Sequence, residues 1–251
     1  MTEPTISAIV PNQNMGRFLE DAVRSITRQR PQVAEILVVD SGSTDDSLDV
    51  VRRLQQAGQP LKLIQSEPSG PGNARNLALE RATGELIAFL DADDVWTARK
   101  LELQTRRLAE QPQLSMVSGF VTYFEDLDPE TLAPRAGSRT ESMFHVHLGA
   151  CLYRRELFER VGLFDPEFLY AEDVDLLLRI REAGEPFVIM RHEMLYYRRH
   201  PDSMMHQKNP RKQSDFRLAI MKSVRRRRLA GLPPMNMEAF EQHLEPLETA
   251  G

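Results

Sequence analysis

With Cys151 as its only cysteine, the 251-residue chain can form no intrachain disulfide and no zinc site built from several thiolates, a usage that fits a reducing compartment. Long apolar runs are missing too. Residues 36–39, 86–90 and 187–190 are apolar throughout, yet each falls far short of the ~20 residues that a membrane-spanning helix needs. The opening Met1-Thr2-Glu3-Pro4 has neither the basic nor the apolar region of a secretory signal, so export by that route is not expected. Nor does one sign of charge dominate: 32 Lys and Arg stand against 37 Asp and Glu, a formal net charge of −5 that gives no overall field for gathering nucleic acid. These absences predict a cytoplasmic protein that binds no nucleic acid and does not cross a membrane.

Hydrophobic residues at 41 % and charged residues at 27 % are near the globular average, and the length suffices for one large α/β domain with a tail. The basic residues are unevenly placed. Between Arg191 and Arg228 there are twelve Lys and Arg against Glu193, Asp202 and Asp215.

Over the first hundred residues short apolar runs alternate with helical patterns, the signature of a parallel sheet covered by helices on both faces. Strands are expected at 6–10, 34–39, 61–64 and 86–90. Helices should start near Gly16, with Phe18, Leu19, Ala22, Val23 and Ile26 on one stripe, and near Asn73. A further helix should follow Asp40, capped by Ser43 or Thr44, with Leu48, Val51 and Leu54 inward. Beyond these, the pattern predicts a helix over 97–110, an apolar stretch over 114–124, a loop over 125–134 and a strand over 145–153. A short helix ending at Gly162, an apolar helix over 172–183 ending at Gly184, and closing strands at 187–190 and 194–198 come next. A helical tail begins after Asn209-Pro210. The carboxyl ends of the parallel strands are where open α/β sheets bind ligands and where helix N-termini point their amides.

Four polar segments fall at such places. In Asp91-Ala92-Asp93-Asp94 the carboxylates repel one another unless a cation neutralises them, and a hard divalent ion held by one or two carboxylates keeps sites free for phosphates; the same residues could simply cap a helix. Asp40 can accept hydrogen bonds from a ribose or a base, while Ser43, Thr44 and Asp45 read as a turn and cap. Gly70-Pro71-Gly72-Asn73-Ala74-Arg75-Asn76 lets backbone approach a ligand closely and sets Arg75 beside it, without the glycine spacing of a dinucleotide fingerprint. Glu172, Asp173 and Asp175 open an apolar helix, where the macrodipole favours carboxylates and where one of them could serve as a general base; spacing does not choose among them. His145, His147, His192, His206 and His243 stand in no distinguishing context and read as polar surface or strand residues.

In this order the segments resemble the family 2 glycosyltransferases over roughly residues 5–205. Ile9-Val10-Pro11-Asn12-Gln13-Asn14 is similar to the family's opening strand and turn, residues 36–45 to its strand-two nucleotide motif, and Gly70 to Asn76 to its glycine-rich segment. Phe89-Leu90-Asp91-Ala92-Asp93-Asp94 resembles the Asp-x-Asp motif, Val161-Gly162-Leu163-Phe164-Asp165 with Glu172-Asp173 the acceptor-side signature, and Tyr197-Arg198-Arg199-His200-Pro201 the segment with the C-terminal histidine. Ser41 departs from the second Asp that many members carry.

The resemblance implies a GT-A fold: one mixed, mainly parallel sheet flanked by helices. Residues 1–205 would be the transferase domain, with a nucleotide-binding half (1–95) and an acceptor half (96–205), and residues 206–251 a basic helical tail. It implies an enzyme that moves a sugar from a nucleotide-sugar donor to a hydroxyl of a glycan or lipid-linked acceptor, inverting the anomeric carbon with help from Mn2+ or Mg2+. Asp93 and His200 would hold the metal, Asp173 would be the base, and Glu172 would hold the acceptor or the helix end. Pro11, Asn14, Asp40, Arg75, Asp91 and Ala92 would bind the nucleotide. The alternatives are a sugar-phosphate nucleotidyltransferase and a non-catalytic nucleotide- or glycan-binding module. Residues 208–228 admit two readings, a helix lying on anionic lipid at the inner face of the membrane and a solvated helix packed on the domain.

Overall fold

The computed structural model describes residues 3–143, 146–204, 208–234 and 242–246. The first half alternates as the pattern predicts: β1 (Ile6–Asn12), α1 (Gly16–Thr27), β2 (Glu35–Asp40), α2 (Ser47–Gln56), β3 (Leu61–Gln65), α3 (Pro71–Leu79) and β4 (Leu86–Phe89). The second half holds β5 (Val95–Trp96), α4 (Lys100–Glu110), β6 (Met116–Phe124), β7 (Leu127–Asp128), β8 (Ala133–Pro134) and β9 (Glu141–Met143). It continues with a 3-10 turn (Leu148–Ala150), β10 (Leu152–Arg154), α5 (Glu156–Val161), α6 (Glu172–Glu182), β11 (Phe187–Arg198) and α7 (Arg211–Leu229).

Nine strands form one sheet in the order β3-β2-β1-β4-β10-β6-β11-β5, with β9 alongside β6. The pairs among β3, β2, β1 and β4 and the β6–β11 pair are parallel, whereas β10, β5 and β9 run antiparallel to their neighbours. Period-two alternation splits the apolar side chains between two cores. Ile6, Ala8, Val10, Ile36 and Val38 meet Leu19, Val23, Ile26, Val51 and Leu54 of α1 and α2 on one face. Ile9, Leu37, Val39, Ile87 and Phe89 meet Ala74, Ala78, Leu157, Leu176 and Ile180 of α3, α5 and α6 on the other. Among the described residues no helix is long and apolar enough to cross a membrane.

Several expectations need correction. Ser43 and Thr44 do not cap α2, which starts at Ser47; they bond instead to the loop after β1, with Asn14 N–H donating to Ser43 Oγ (2.8 Å) and Thr44 N–H to Asn14 Oδ1 (2.8 Å). Val50 takes the inward place on α2 given to Leu48, which is half-buried. The 125–134 segment contains a small β7–β8 ladder. Of the described residues in the expected 145–153 strand, only Leu152 and Tyr153 are extended in the sheet, at the start of β10, because the 3-10 turn at 148–150 interrupts it. The two closing strands are one, β11, whose register with β6 shifts between Ile189 and Leu195, so that exposed Arg191, His192 and Glu193 bulge outward. Of the described tail residues, 211–229 form α7, which packs against α6, while 232–234 and 242–246 are not α-helical.

Candidate functional site

A cleft of about 730 Å³ opens at the carboxyl ends of β1 and β4 and is closed from the other side by the start of α6 and the end of β11. Pro11, Asn14, Arg75, Asp91, Ala92, Asp93, Glu172 and Asp173 line it, joined by Asn12, Ser41, His147 and Tyr197.

At one end of the cleft, β1 and β2 pair in register so that Asn12 stands beside Asp40. Asp40 is buried and does not line the cleft: its Oδ2 accepts from Asn12 Nδ2 (2.7 Å) and its Oδ1 from Ser43 N–H (3.0 Å). The Asn12 nitrogen also faces Ser43 Oγ at 3.2 Å, which fixes the amide with its Oδ1 buried and without a hydrogen-bond partner.

Arg75 occupies the centre. Its buried guanidinium donates to Asp91 Oδ1 (2.6 Å) and to Glu172 Oε1 (2.7 Å), joining the loop after β4 to the first turn of α6. Burial alone would lower the arginine's pKa, but the two carboxylates outweigh it and raise it; burial alone would raise Asp91, and Arg75 holds it below the ordinary value. Glu172 goes the other way: burial, helped by Asp173, pushes it up to about 7 against the pull of Arg75.

A strand pairing brings the next two residues together. β5 follows the aspartate run directly and pairs antiparallel with Leu195 and Tyr196 of β11, so the end of β11 returns over the run. Arg198 donates its N–H to Asp94 Oδ1 (2.9 Å) and its Nε–H to the Asp93 carbonyl (2.9 Å), and His200 Nε2 lies 2.9 Å from Asp93 Oδ2. That separation is the one expected between adjacent ligands on a single ion with bonds of about 2.1 Å. Asp94 Oδ2 is buried with no partner, and burial together with the Asp93 and Asp91 charges drives its carboxyl far above the normal range. Carboxylates of Asp91 and Asp94 and a His147 ring nitrogen also come within 4.8 Å of one another. Crowded, under-neutralised oxygen donors beside imidazole suit a hard divalent ion, so these residues fit Mn2+ or Mg2+.

The first turn of α6 separates the three carboxylates that spacing leaves equivalent. Ala171, left-handed at φ +64°, sets the turn into the helix. Glu172 is bound by Arg75, and buried Asp175 by Arg179 (2.8 Å) and Arg226 (3.0 Å). Asp173 accepts only the N–H of Val174 (2.7 Å), has no arginine partner among the described residues, and faces the cleft.

Residues 7–162, more than half of the chain, match the family model described as glycosyl transferase family 2. The chain belongs to this family. It is 36 % identical over 178 residues to an uncharacterised glycosyltransferase of Nostoc sp., a match covering 64 % of this chain and 54 % of that protein. It is 31 % identical over 217 residues to the uncharacterised glycosyltransferase EpsJ of Bacillus subtilis, covering 80 % and 63 %. The chain thus spans between half and two thirds of the length of these relatives. Among solved structures, the mannosyltransferase PcManGT of Pyrobaculum calidifontis, in complex with GDP-Man and Mn2+, superposes with a TM-score of 0.68 at 24 % identity over 90 % of this chain and 65 % of that one. The likeness establishes the GT-A fold, with its curled, mainly parallel sheet.

Within this family 2 chain, the expected site residues converge on one cleft except Asp40, which acts behind its wall, and His200, which reaches the wall through Asp93. His147, expected to be a polar surface or strand residue, lines the cleft instead. The N–H of Gly149 donates to its Nδ1 (3.1 Å) and its ring stands edge-on to Tyr197 (5.5 Å), so the neutral ring carries its proton on Nε2. Burial lowers its pKa against the opposing pull of Asp91 and Asp173. No local signal marks it, because an irregular turn, not a periodic element, brings it in. His192 is exposed, His243 stacks on Phe187, and His145 and His206 lie outside the described residues.

Proposed function

We propose that the chain transfers a sugar from a nucleoside-diphosphate sugar to a hydroxyl of a glycan or lipid-linked acceptor, inverting the anomeric carbon. The observation that carries this reading is the fate of the carboxylates around the cleft. Arginines neutralise Glu172 and Asp175, while Asp173 is left facing the cleft and Asp93 sits against His200. The solved mannosyltransferase that shares the fold holds a nucleotide sugar with a divalent ion, which supports the same pairing here.

Residues 1–95 would bind the donor, residues 96–205 the acceptor, and residues 206–251 would form the basic tail. Pro11, Asn14, Asp91 and Ala92 form the donor wall. Asp40 orients Asn12, which lines the nucleotide side of the cleft. Arg75 locks Asp91 to the start of α6, so donor and acceptor sides keep one spacing. Asp93 and His200 would hold the metal, with Asp91 beside them. The ion, when bound, supplies positive charge where the diphosphate leaves. Asp173, at the first turn of α6 and facing the cleft, takes the acceptor's proton as the acceptor oxygen bonds to the anomeric carbon and the bond to the diphosphate breaks. One displacement inverts the centre, with no covalent intermediate.

Incubation with a panel of nucleotide sugars and manganese tests the reading. Release of nucleoside diphosphate, with an acceptor-linked sugar of inverted configuration by NMR, supports it. Pyrophosphate release would instead mark a sugar-phosphate nucleotidyltransferase, and binding without any product a nucleotide- or glycan-binding module.

A further inference from the structure

Helix α7 is turned inside out. Its buried positions are Asp215, Ala219 and Ser223, spaced four apart along one stripe and small or polar. That stripe is fixed by polar contacts: Ser223 Oγ and Arg226 bond to Glu182, Arg226 also to Asp175, and Lys222 to Asp165 and Glu167. Of its apolar residues, Leu218 and Ile220 are partly covered by the cluster around Phe168 and Leu178. Four more are turned to solvent: Phe216 is 48 % exposed, Met221 67 %, Val224 60 % and Leu229 79 %. At 100° per residue, Arg217, Met221, Val224 and Arg228 fall within an arc of about 60°, with Arg225 about 40° beyond one edge and Phe216 about 80° beyond the other, past Ile220. Arg217, Arg225 and Arg228 are exposed, and no Asp or Glu occurs from Phe216 to Met237.

A helix whose purpose was to cover the domain would bury these side chains and leave its arginines alone in water. A face that interleaves exposed apolar side chains with arginines suits an interface that is apolar within and negatively charged at its surface. A second copy of the chain is disfavoured as occupant, since matching faces would set arginines against arginines with no carboxylate between them.

We propose that the outer face of α7 docks on an anionic lipid surface. The helix cannot swing away from the cleft when it does so. Asp215 Oδ2 accepts from the N–H groups of Leu169 and Tyr170 (3.0 Å each), and both residues line the cleft, as does Asn209 just before the helix. The docked face therefore holds the cleft rim at a set relation to the lipid surface, which fits an acceptor hydroxyl carried on a lipid; this last step rests on the transfer reading above.

Flotation of the full chain with vesicles of phosphatidylglycerol and phosphatidylcholine, against phosphatidylcholine alone, tests the docking. The expected result is recovery with the anionic vesicles only, reduced by salt. Recovery should fall at least tenfold in two separate variants, Arg217→Gln/Arg225→Gln/Arg228→Gln and Phe216→Ser/Met221→Ser/Val224→Ser, each melting like the parent. Equal recovery of either variant with the parent, or no recovery of the parent, overturns the proposal. So does light scattering that shows a dimer dissociated by the apolar variant. Flotation needs no turnover, and manganese-dependent hydrolysis of a nucleotide sugar needs no vesicles, so failure of docking and failure of the transfer reading remain distinct.

Discussion

His200 Nε2 lies 2.9 Å from Asp93 Oδ2 across a sequence separation of 107 residues. Neither residue's neighbours in sequence achieve this; the pairing of β5 with β11 does, helped by the two bonds from Arg198 to Asp94 and to the Asp93 carbonyl. His200→Ala should raise the manganese concentration for half-maximal activity at least about tenfold, with turnover recovering at saturating metal. A metal titration of nucleotide-sugar hydrolysis gives the answer, and an unchanged midpoint would remove His200 from the metal site.

Asp173→Asn keeps the shape of the first turn of α6 and removes the proton acceptor. Transfer should fall by about 10²–10⁴-fold while the nucleotide still binds with the parent affinity. If the variant transferred sugar at the parent rate, the base would have to be sought elsewhere in the cleft.

Arg75→Met leaves Asp91 and Glu172 without their shared counter-charge in the buried centre of the site. Breaking such a pair costs about 3–5 kcal/mol, and for a domain of this size the melting temperature should drop by roughly 10 °C. Arg75→Lys should rescue only part of the loss, because one ammonium cannot reproduce the two-armed guanidinium bridge. Calorimetry of the three proteins checks the order.

Glu35, buried at the start of β2, accepts from Ser7 Oγ (2.6 Å), Thr83 N–H (2.7 Å), Thr83 Oγ1 (2.8 Å) and Lys62 (2.7 Å). Burial alone would raise its pKa, yet these donors, Lys62 foremost, hold it down to about 2 from 4.5. In the interval between those values the unfolded chain binds the proton and the folded chain does not. The stabilisation is therefore complete above pH 4.5 and disappears as pH falls toward 2, about 3 kcal/mol in all. Urea unfolding at pH 7 and pH 3 should show Glu35→Gln to be less stable than the parent at pH 7 and closer to it at pH 3; parallel acid limbs would contradict the assignment.

Where pattern and turn chemistry are local, the sequence was readable. The β1–β4 half follows from apolar alternation and the stripe on α1, and the aspartate run after β4 announces itself by charge. What could not be read is what tertiary pairing decides. Arg179, one turn further along α6, marks Asp175 as paired, but nothing near Glu172 or Asp173 says which of those two stays available, because Arg75, which holds Glu172, comes from α3. His147 enters the cleft on a 3-10 turn that breaks the expected strand, and Asp40, for all its position at a strand end, is drawn behind the wall by Asn12 and Ser43. Lys100 is a similar case: it is buried over the Trp96 ring with Gln104 and the Cys151 carbonyl as partners, and burial pulls it down to about 7, with no sign in the sequence around it.

The central claim is that Asp93 holds a cation needed to bind the donor's diphosphate. A thermal-shift panel of nucleoside diphosphates with and without manganese, run on the parent and on Asp93→Asn, tests it most directly. A ligand at ~100 times its dissociation constant adds about 2.7 kcal/mol, which at this size is a rise on the order of 5–10 °C. Such a rise is expected for one nucleotide in the parent with manganese, with little without it and none in Asp93→Asn. An equal rise in the variant, or one indifferent to manganese, would contradict the claim.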